Sequence, residues 1–401
     1  MGCGASRPPV KIVGADNTAG AAEPKTTVPP LPSKAEAKSN AATKKTAALR
    51  IIQITDVYTL ENFPSLKTLI QEKRAEFEAA HGPQSKTVSM LTGDFLMPYL
   101  LSTVDQGRGM MSMLNETPID YVTWGNHEAD LAHADVCARE KEYKGVWINS
   151  NMQSHDTFAG STCQTDAAWI DVSSSDASHA RKVAMIGVLT NVCNKKTDFG
   201  GAGGRIGDPW ECMTAFKAKL EGEGADVVIP LCHLYEPQDE RTANEMDFPL
   251  ILSGHDHHRV DKIVNGTRIL KPGLDGHYAV VVDLLWDDPA ASNGTPPSRI
   301  EAQTIKVADF MADAVMAATV AKAYTLIDNL RKTQIAVVPP KWRPLTSVDA
   351  RGKNVSMGSF LCSEMRDALN LHEPTVDCVI SALYAQRYAP CESPTAPPAP
   401  R

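Results

Sequence analysis

The chain lacks any run of about 18 apolar residues, the length a membrane-spanning helix needs. Its N-terminus also lacks the short apolar core of a secretory signal. It has no basic excess: the formal net charge is −8, which argues against a general binder of nucleic-acid polymers. It has no Cys-x-x-Cys pair, and its nine cysteines are odd in number. Several sit in apolar runs, as Cys232 does in "VVIPLCH". That pattern reads as reduced, buried thiol rather than a disulfide framework. No internal repeat is present. What remains is ordinary for a globular protein: 401 residues, 43% hydrophobic and 22% charged, enough for a large core and two domains.

The first residues are "MGCGAS". Gly2 after Met1, with Ser6, completes the N-myristoylation pattern, and Cys3 is placed for palmitoylation. One acyl chain holds a protein weakly, whereas two anchor it. Lys11, Lys25, Lys34, Lys38, Lys44, Lys45 and Arg50 add charge that suits an anionic leaflet. The expected location is the cytoplasmic face of a membrane, the plasma membrane first. Residues 1–48 carry no periodicity and read as a disordered, acylated, basic tail.

From "ALRIIQITD" onward, short β-rich runs alternate with helical segments. "FPSLKTLIQEKRAEFEAA" has helical spacing, with Asn62 as its N-cap. "HRVDKIVNGTRILKPG" reads as a hairpin turning at Asn265-Gly266 in type I′. The mixture implies an α/β sandwich of parallel strands joined by helices plus antiparallel pairs. Its domain is placed at 49–290. A Pro-rich break follows, and "FMADAVMAATVAKAYTLIDNLRK" reads as one long linking helix. Residues 300–388 comprise this linker and a short α/β segment, and 389–401 form a disordered tail.

Polar residues stand at the ends of five apolar runs: Asp56 in "TDVY", Asp94 in "TGDF", "GNHEAD" from Gly125 to Asp130, His233 in "PLCHL", and His255 with His257 in "GHDHH". Strand ends of open α/β sheets converge on one edge, where ligands bind. Carboxylates, an amide oxygen and imidazoles suit divalent metal ions. Taken singly, a Gly-Asp pair is a turn and a lone histidine is a core residue. Five in order, each closing an apolar run, point to a metal centre.

The order Asp, Gly-Asp, Gly-Asn-His-Glu, His, Gly-His-x-His resembles the calcineurin-like metallophosphoesterases. "GDFLMP", "GNHEAD", "LILSGHDHH" and "ILKPGLDGHYAVVVDL" resemble the 5′-nucleotidase family within them, and "ARGKNVSMGSFLCSEMRDAL" looks like the start of that family's C-terminal domain. The likeness runs from Leu49 to Leu369. It implies a four-layer α/β/β/α sandwich with a C-terminal domain that is truncated here. It implies two divalent ions (Zn, Mn, Mg or Co) bridged by Asp94. Asp56 and His257 would hold the first ion, and Asn126, His233 and His255 the second. His127 would face the phosphate, oriented by Asp130. The substrate would be a phosphate ester such as a nucleotide.

Two departures stand out. Tyr58 occupies the position where the family places a histidine on the first metal. It reads as a ligand that would admit iron, as a hydroxyl hydrogen-bonded beside the ligands, or as the mark of an inactive site. The likeness also fades after Leu369, without the family's glycine pair or base-stacking aromatics. A phosphodiesterase, a general phosphatase and a membrane-tethered pseudoenzyme therefore stand as alternatives.

Overall fold

The computed structural model describes residues 46–152, 164–192, 205–292, 294–334, 337–346 and 354–370. The acylation positions Gly2 and Cys3, nearly all of the basic tail, and the segment from residue 371 through the tail at 389–401 lie outside the described residues. Among the described residues no helix is long and apolar enough to cross a membrane.

The first half of the chain alternates strand and helix: β1 (Ala47–Ile54), α1 (Phe63–His81), β2 (Lys86–Thr92), α2 (Leu100–Asp105), α3 (Arg108–Glu116), β3 (Tyr121–Thr123), α4 (His133–Glu142), β4 (Val146–Ile148) and β5 (Gln164–Thr165). A second series follows: β6 (Ala168–Ser173), β7 (Ala180–Leu189), α5 (Pro209–Gly222), β8 (Val227–His233), α6 (Glu236–Glu245), β9 (Leu250–Ser253), β10 (Arg259–Val264), β11 (Thr267–Pro272), β12 (Tyr278–Trp286) and β13 (Arg299–Lys306). Three helices close the described chain: α7 (Ala314–Tyr324), α8 (Asp328–Lys332) and α9 (Ser356–Leu369).

The strands form a seven-stranded sheet, ordered β13-β12-β1-β2-β3-β4-β5, and a six-stranded sheet, ordered β10-β11-β9-β8-β7-β6. β1 shows why they stack. All eight of its residues are buried, so both of its faces are covered. Leu49 and Ile51 point between the sheets, to Met90, Leu231, Val280 and Val282. Ile52 and Ile54 point the other way, to Leu66 and Leu69 of α1 and Met110 of α3. Each such side chain contributes about 1.5–3 kcal/mol by leaving water. Behind the second sheet, Met213 and Leu220 of α5 and Ala243 of α6 cover Ile186, Val228 and Ile251. The result is the expected α/β/β/α order. β1, β2, β3 and β4 run parallel in one sheet, and β7, β8 and β9 in the other.

The hairpin of β10 and β11 turns as read, with positive φ at Asn265 and Gly266. Two local readings need correction. Asn62 does not cap α1 with its side chain. Its Nδ2 donates to the Asp275 carbonyl at 2.9 Å, which ties the side chain to the loop before β12. The linker is not one helix. α7 starts at Asp313, whose carboxylate accepts from Met316 N, and a 3₁₀ turn at Thr325–Ile327 separates it from α8. Thr325 Oγ1 bonds back to the Lys322 carbonyl at 2.7 Å, a contact that competes with regular helix. Met316, Val320 and Ile327 are buried against the helical layer of the first sheet. α9 is helical as expected, and none of its residues is buried.

Candidate metal centre

The acids and histidines read at strand ends meet at one edge of the sandwich. Asp56 follows β1, Asp94 follows β2, Asn126 and His127 follow β3, His233 ends β8, and His255 and His257 follow β9. Asp56, Asp94, His255 and His257 all have positive φ, between 51° and 81°. Such backbone is costly for residues with a Cβ and persists where the surroundings enforce it.

The enforcement is visible. Asp56 N donates to the Gly93 carbonyl at 3.1 Å, and Val57 N to the Asp94 carbonyl at 2.8 Å. Each carboxylate commits one oxygen to the protein. Asp56 Oδ2 accepts from His255 N at 2.9 Å and Thr55 Oγ1 at 2.7 Å. Asp94 Oδ1 accepts from His127 N at 2.8 Å. The other oxygens face inward. Asp94 Oδ2 lies 3.2 Å from His233 Nε2, and Asp56 Oδ1 lies 3.1 Å from His257 Nε2. His233 Nδ1 lies 2.8 Å from the Thr92 carbonyl. A carbonyl only accepts, so Nδ1 carries a hydrogen, and Nε2, which meets the Asp94 carboxylate, is the nitrogen whose proton a cation would replace. Gly125 permits this packing, because a Cβ there would overlap the Asp94 carboxylate.

Two groups of donors result, Asp56 with Asp94 and His257, and Asp94 with His233 and His255. Asp94 is common to both. Whether they fit cations is tested by atoms with nothing else to do. Among the described residues, Asn126 Oδ1 and both nitrogens of His255 are buried without a hydrogen-bond partner, an expensive state unless a ligand completes it. The charges agree. Burial lowers the His233 imidazole, but Asp94 and Asp56 outweigh it and hold the group at about 10. Burial opposes charge on both carboxylates, yet His233 and its neighbours keep them below the usual range. His255 is driven well below an ordinary imidazole by burial and by the charge on His233. The centre demands positive charge, and the donor set fits divalent metal ions.

Tyr58 lies inside the first group. Its hydroxyl is 3.0 Å from Asp94 Oδ2, 3.1 Å from His257 Nε2 and 3.3 Å from Asp56 Oδ1. His127 Nδ1 lies 2.6 Å from Asp130 Oδ2, the pairing that the family resemblance implies.

Three residues that shape the centre were not singled out in the sequence. The buried carboxylate of Glu128 accepts from the backbone N–H of Asp94, Phe95, Leu96 and Gly125 at 2.6–3.1 Å, tying two motif loops together. Burial and the Asp94 charge push it up to about 7. Asp275 braces the first motif: its Oδ1 accepts from Tyr58 N at 2.8 Å, and its own N–H donates to the Asp56 carbonyl at 2.8 Å. The buried Lys271 ammonium reaches the Leu234 and Gly254 carbonyls at 2.8 Å, Asp239 at 2.8 Å and Asp256 at 2.5 Å. Those contacts adjoin His233, His255 and His257. The available signals were an acid directly after Asn-His, an acid between two glycines, and a lone lysine ending an apolar strand.

A four-layer sandwich with two donor groups sharing a carboxylate defines the metallophosphoesterase class. The family model for calcineurin-like phosphoesterase matches residues 49–259. The chain belongs to that family, whose members are hydrolases acting on phosphate esters. No curated protein sequence matches the chain. Among solved structures, the fold is similar to a 5′-nucleotidase precursor from Thermus thermophilus, with 14% identity, a TM-score of 0.64, and coverage of 81% of this chain and 68% of that one. It is similar to the calcineurin-like phosphoesterase YfkN from Bacillus subtilis, with 18% identity, a TM-score of 0.59, and coverage of 72% and 100%. It is also similar to the sulfate thiohydrolase SoxB from Thermus thermophilus, with 20% identity and a TM-score of 0.56; the match covers 66% of this chain and 46% of that one.

Proposed function

We propose that the chain hydrolyses phosphate monoesters in the manner of a 5′-nucleotidase, with two divalent ions in its centre. The observation that carries this reading is the shared carboxylate: Asp94 belongs to both donor groups, and the His127–Asp130 pair stands on the adjoining loop. Asp56, Asp94 and His257 would hold one ion, and Asp94, Asn126, His233 and His255 the other. When bound, the ions supply electrophilic charge and lower the pKa of water. Hydrolysis forms a P–O bond from water and breaks the P–O bond to the leaving group, giving phosphate and an alcohol. The alcohol oxygen needs a proton, which Nε2 of His127 delivers. Asp130 takes the Nδ1–H, holds the ring in one orientation and stabilises its charged form.

Tyr58 contacts every donor of the first group. It acts there as a further donor, with iron then admitted, or as a hydrogen-bonding hydroxyl. Metal identity is otherwise drawn from Zn, Mn, Mg and Co. Nucleotides are the first substrates to try, on the resemblance of the motifs. Acylation at Gly2 and Cys3 would hold the chain at the cytoplasmic face of a membrane; a Gly2→Ala protein should then leave the membrane fraction, and its retention would refute the anchor.

The enzyme reading is tested by assaying p-nitrophenyl phosphate with Mn²⁺ or Co²⁺. Asn126→Ala and His127→Ala should each remove most of the activity. No hydrolysis of any ester by the parent, with one ion per chain, would leave a tethered pseudoenzyme.

A further inference from the structure

Beside the first donor group a cavity of about 600 Å³ opens at His257. Its walls include His258 and Arg259 from the second sheet's edge, and His277, Tyr278 and Thr304 from the first. The volume is in the range of small-ligand sites, about 300–1,000 Å³. Arg259 stands two residues after His257, at the start of β10. Its guanidinium lies 4.2 Å from the centroid of the Tyr278 ring.

Asp261 and His258, the neighbouring polar side chains on this wall, are engaged elsewhere. Both oxygens of Asp261 accept from Arg268 at 2.9 Å. His258 is 2.6 Å from Glu236. Among the described residues, no carboxylate pairs with Arg259. A guanidinium laid on an aromatic ring is pre-oriented, so it loses little freedom when it binds, and it presents its edge N–H groups as a fork for an oxyanion. Because Arg259 covers one face of Tyr278, the pair suits an anion better than a stacked planar ring.

We propose that this cavity binds a second anionic group of the substrate, carried on its leaving portion, through Arg259 held on Tyr278. The substrate class is then a phosphate monoester whose alcohol bears another phosphate or a carboxylate. That differs from a nucleoside monophosphate, whose leaving nucleoside is neutral. The inference rests on the phosphoesterase reading of the adjoining centre and narrows it.

The test uses the full chain loaded with Mn²⁺ and three series of esters with matched linkers: propyl and hexyl phosphate, the corresponding α,ω-bisphosphates, and the corresponding ω-carboxyalkyl phosphates. At least one anionic series should exceed its alkyl counterpart in kcat/KM by about tenfold, the size of one charge-assisted hydrogen-bonded contact. A larger gain for the bisphosphates assigns the cavity to phosphate. Equal gains assign it to anions in general, and a larger gain for the carboxylates assigns it to carboxylate. Each of these supports the proposal only if Arg259→Ala brings the ratio to about one. Arg259→Lys should keep part of the gain, as a charge without the fork. Hydrolysis of alkyl phosphates with no anionic preference, or a preference that survives Arg259→Ala, would overturn the cavity and leave the phosphoesterase reading standing. Failure to hydrolyse any ester would overturn both.

Discussion

The two donor groups share Asp94 and one sheet edge, yet they are built differently. In the first, the Tyr58 hydroxyl sits within 3.0–3.3 Å of Asp56, Asp94 and His257. Protein atoms there already satisfy one another. In the second, both His255 nitrogens have no hydrogen-bond partner among the described residues, and neither does Asn126 Oδ1, the atom proposed to complete the group. The second group gains most from a cation, because nothing else relieves the burial of the His255 nitrogens. The first has a protein partner in place, so cation binding there must compete with it. The difference ranks the two groups: the second should hold its ion more tightly.

The largest expected effect strikes both groups at once. Lys271→Met removes the ammonium between Asp239 and Asp256 and leaves the buried Asp239 carboxylate without its cation. Breaking a buried pair costs about 3–5 kcal/mol, so the denaturation midpoint should fall sharply and both ions should weaken. A drop in stability with both ion affinities unchanged would remove Lys271 from the account of the centre.

Next is Asn126→Ala, at the residue proposed to complete the second group. Hydrolysis should fall by about a hundredfold to a thousandfold, the range seen when one electrostatic contact to a reaction centre is deleted. Ion binding to the second group should weaken more than to the first. If the first weakens more, the two groups are wrongly divided.

Tyr58 sharpens the comparison from the other side. Tyr58→His should tighten the first ion and raise activity at limiting Mn²⁺ by about tenfold, the scale of changes in the surroundings of a metal. Tyr58→Phe distinguishes its roles: loss of the first ion makes the phenol a donor, while tighter binding shows that the hydroxyl had been competing. No change in either variant would contradict the contacts assigned to this side chain.

The smallest effect belongs to a residue in neither group. Hydrogen bonds from Arg299 above all, then from Thr46 and Ser298, hold Asp287 at about 2, below its ordinary 3.8. Its contribution is therefore complete above pH 3.8 and is lost as the pH falls through 2. The site is exposed and screened, so Asp287→Asn should cost less than about 1 kcal/mol at neutral pH. Denaturant midpoints of parent and variant should converge at low pH; a gap that widens on acidification would reverse the assigned sign.

The fold was largely legible because its signals are local. β1 and β8 are apolar runs closed by a polar residue, and both are buried along their length. All six metal-ligand candidates and the His127–Asp130 pair come together at the expected edge. What the sequence concealed depends on distant partners. Asp275 braces Tyr58 from 217 residues away, and Lys271 reaches back to Leu234 and Asp239 across two strands. Asn62 has the chemistry of a cap, but its side chain serves a distant partner instead, its Nδ2 donating to the Asp275 carbonyl. The long linker has helical spacing, yet Thr325 and the packing of Met316 and Ile327 decide where it breaks. Glu128 shows no role within its motif, since its four backbone donors lie on two loops that meet only in the fold.

The most direct test is a calorimetric titration of the purified full chain with Mn²⁺, after chelation and buffer exchange. Two ions per chain in two steps are predicted, with the tighter step weakened selectively by Asn126→Ala. A single ion per chain, or two ions whose tighter step is untouched by Asn126→Ala, would contradict the two-group centre.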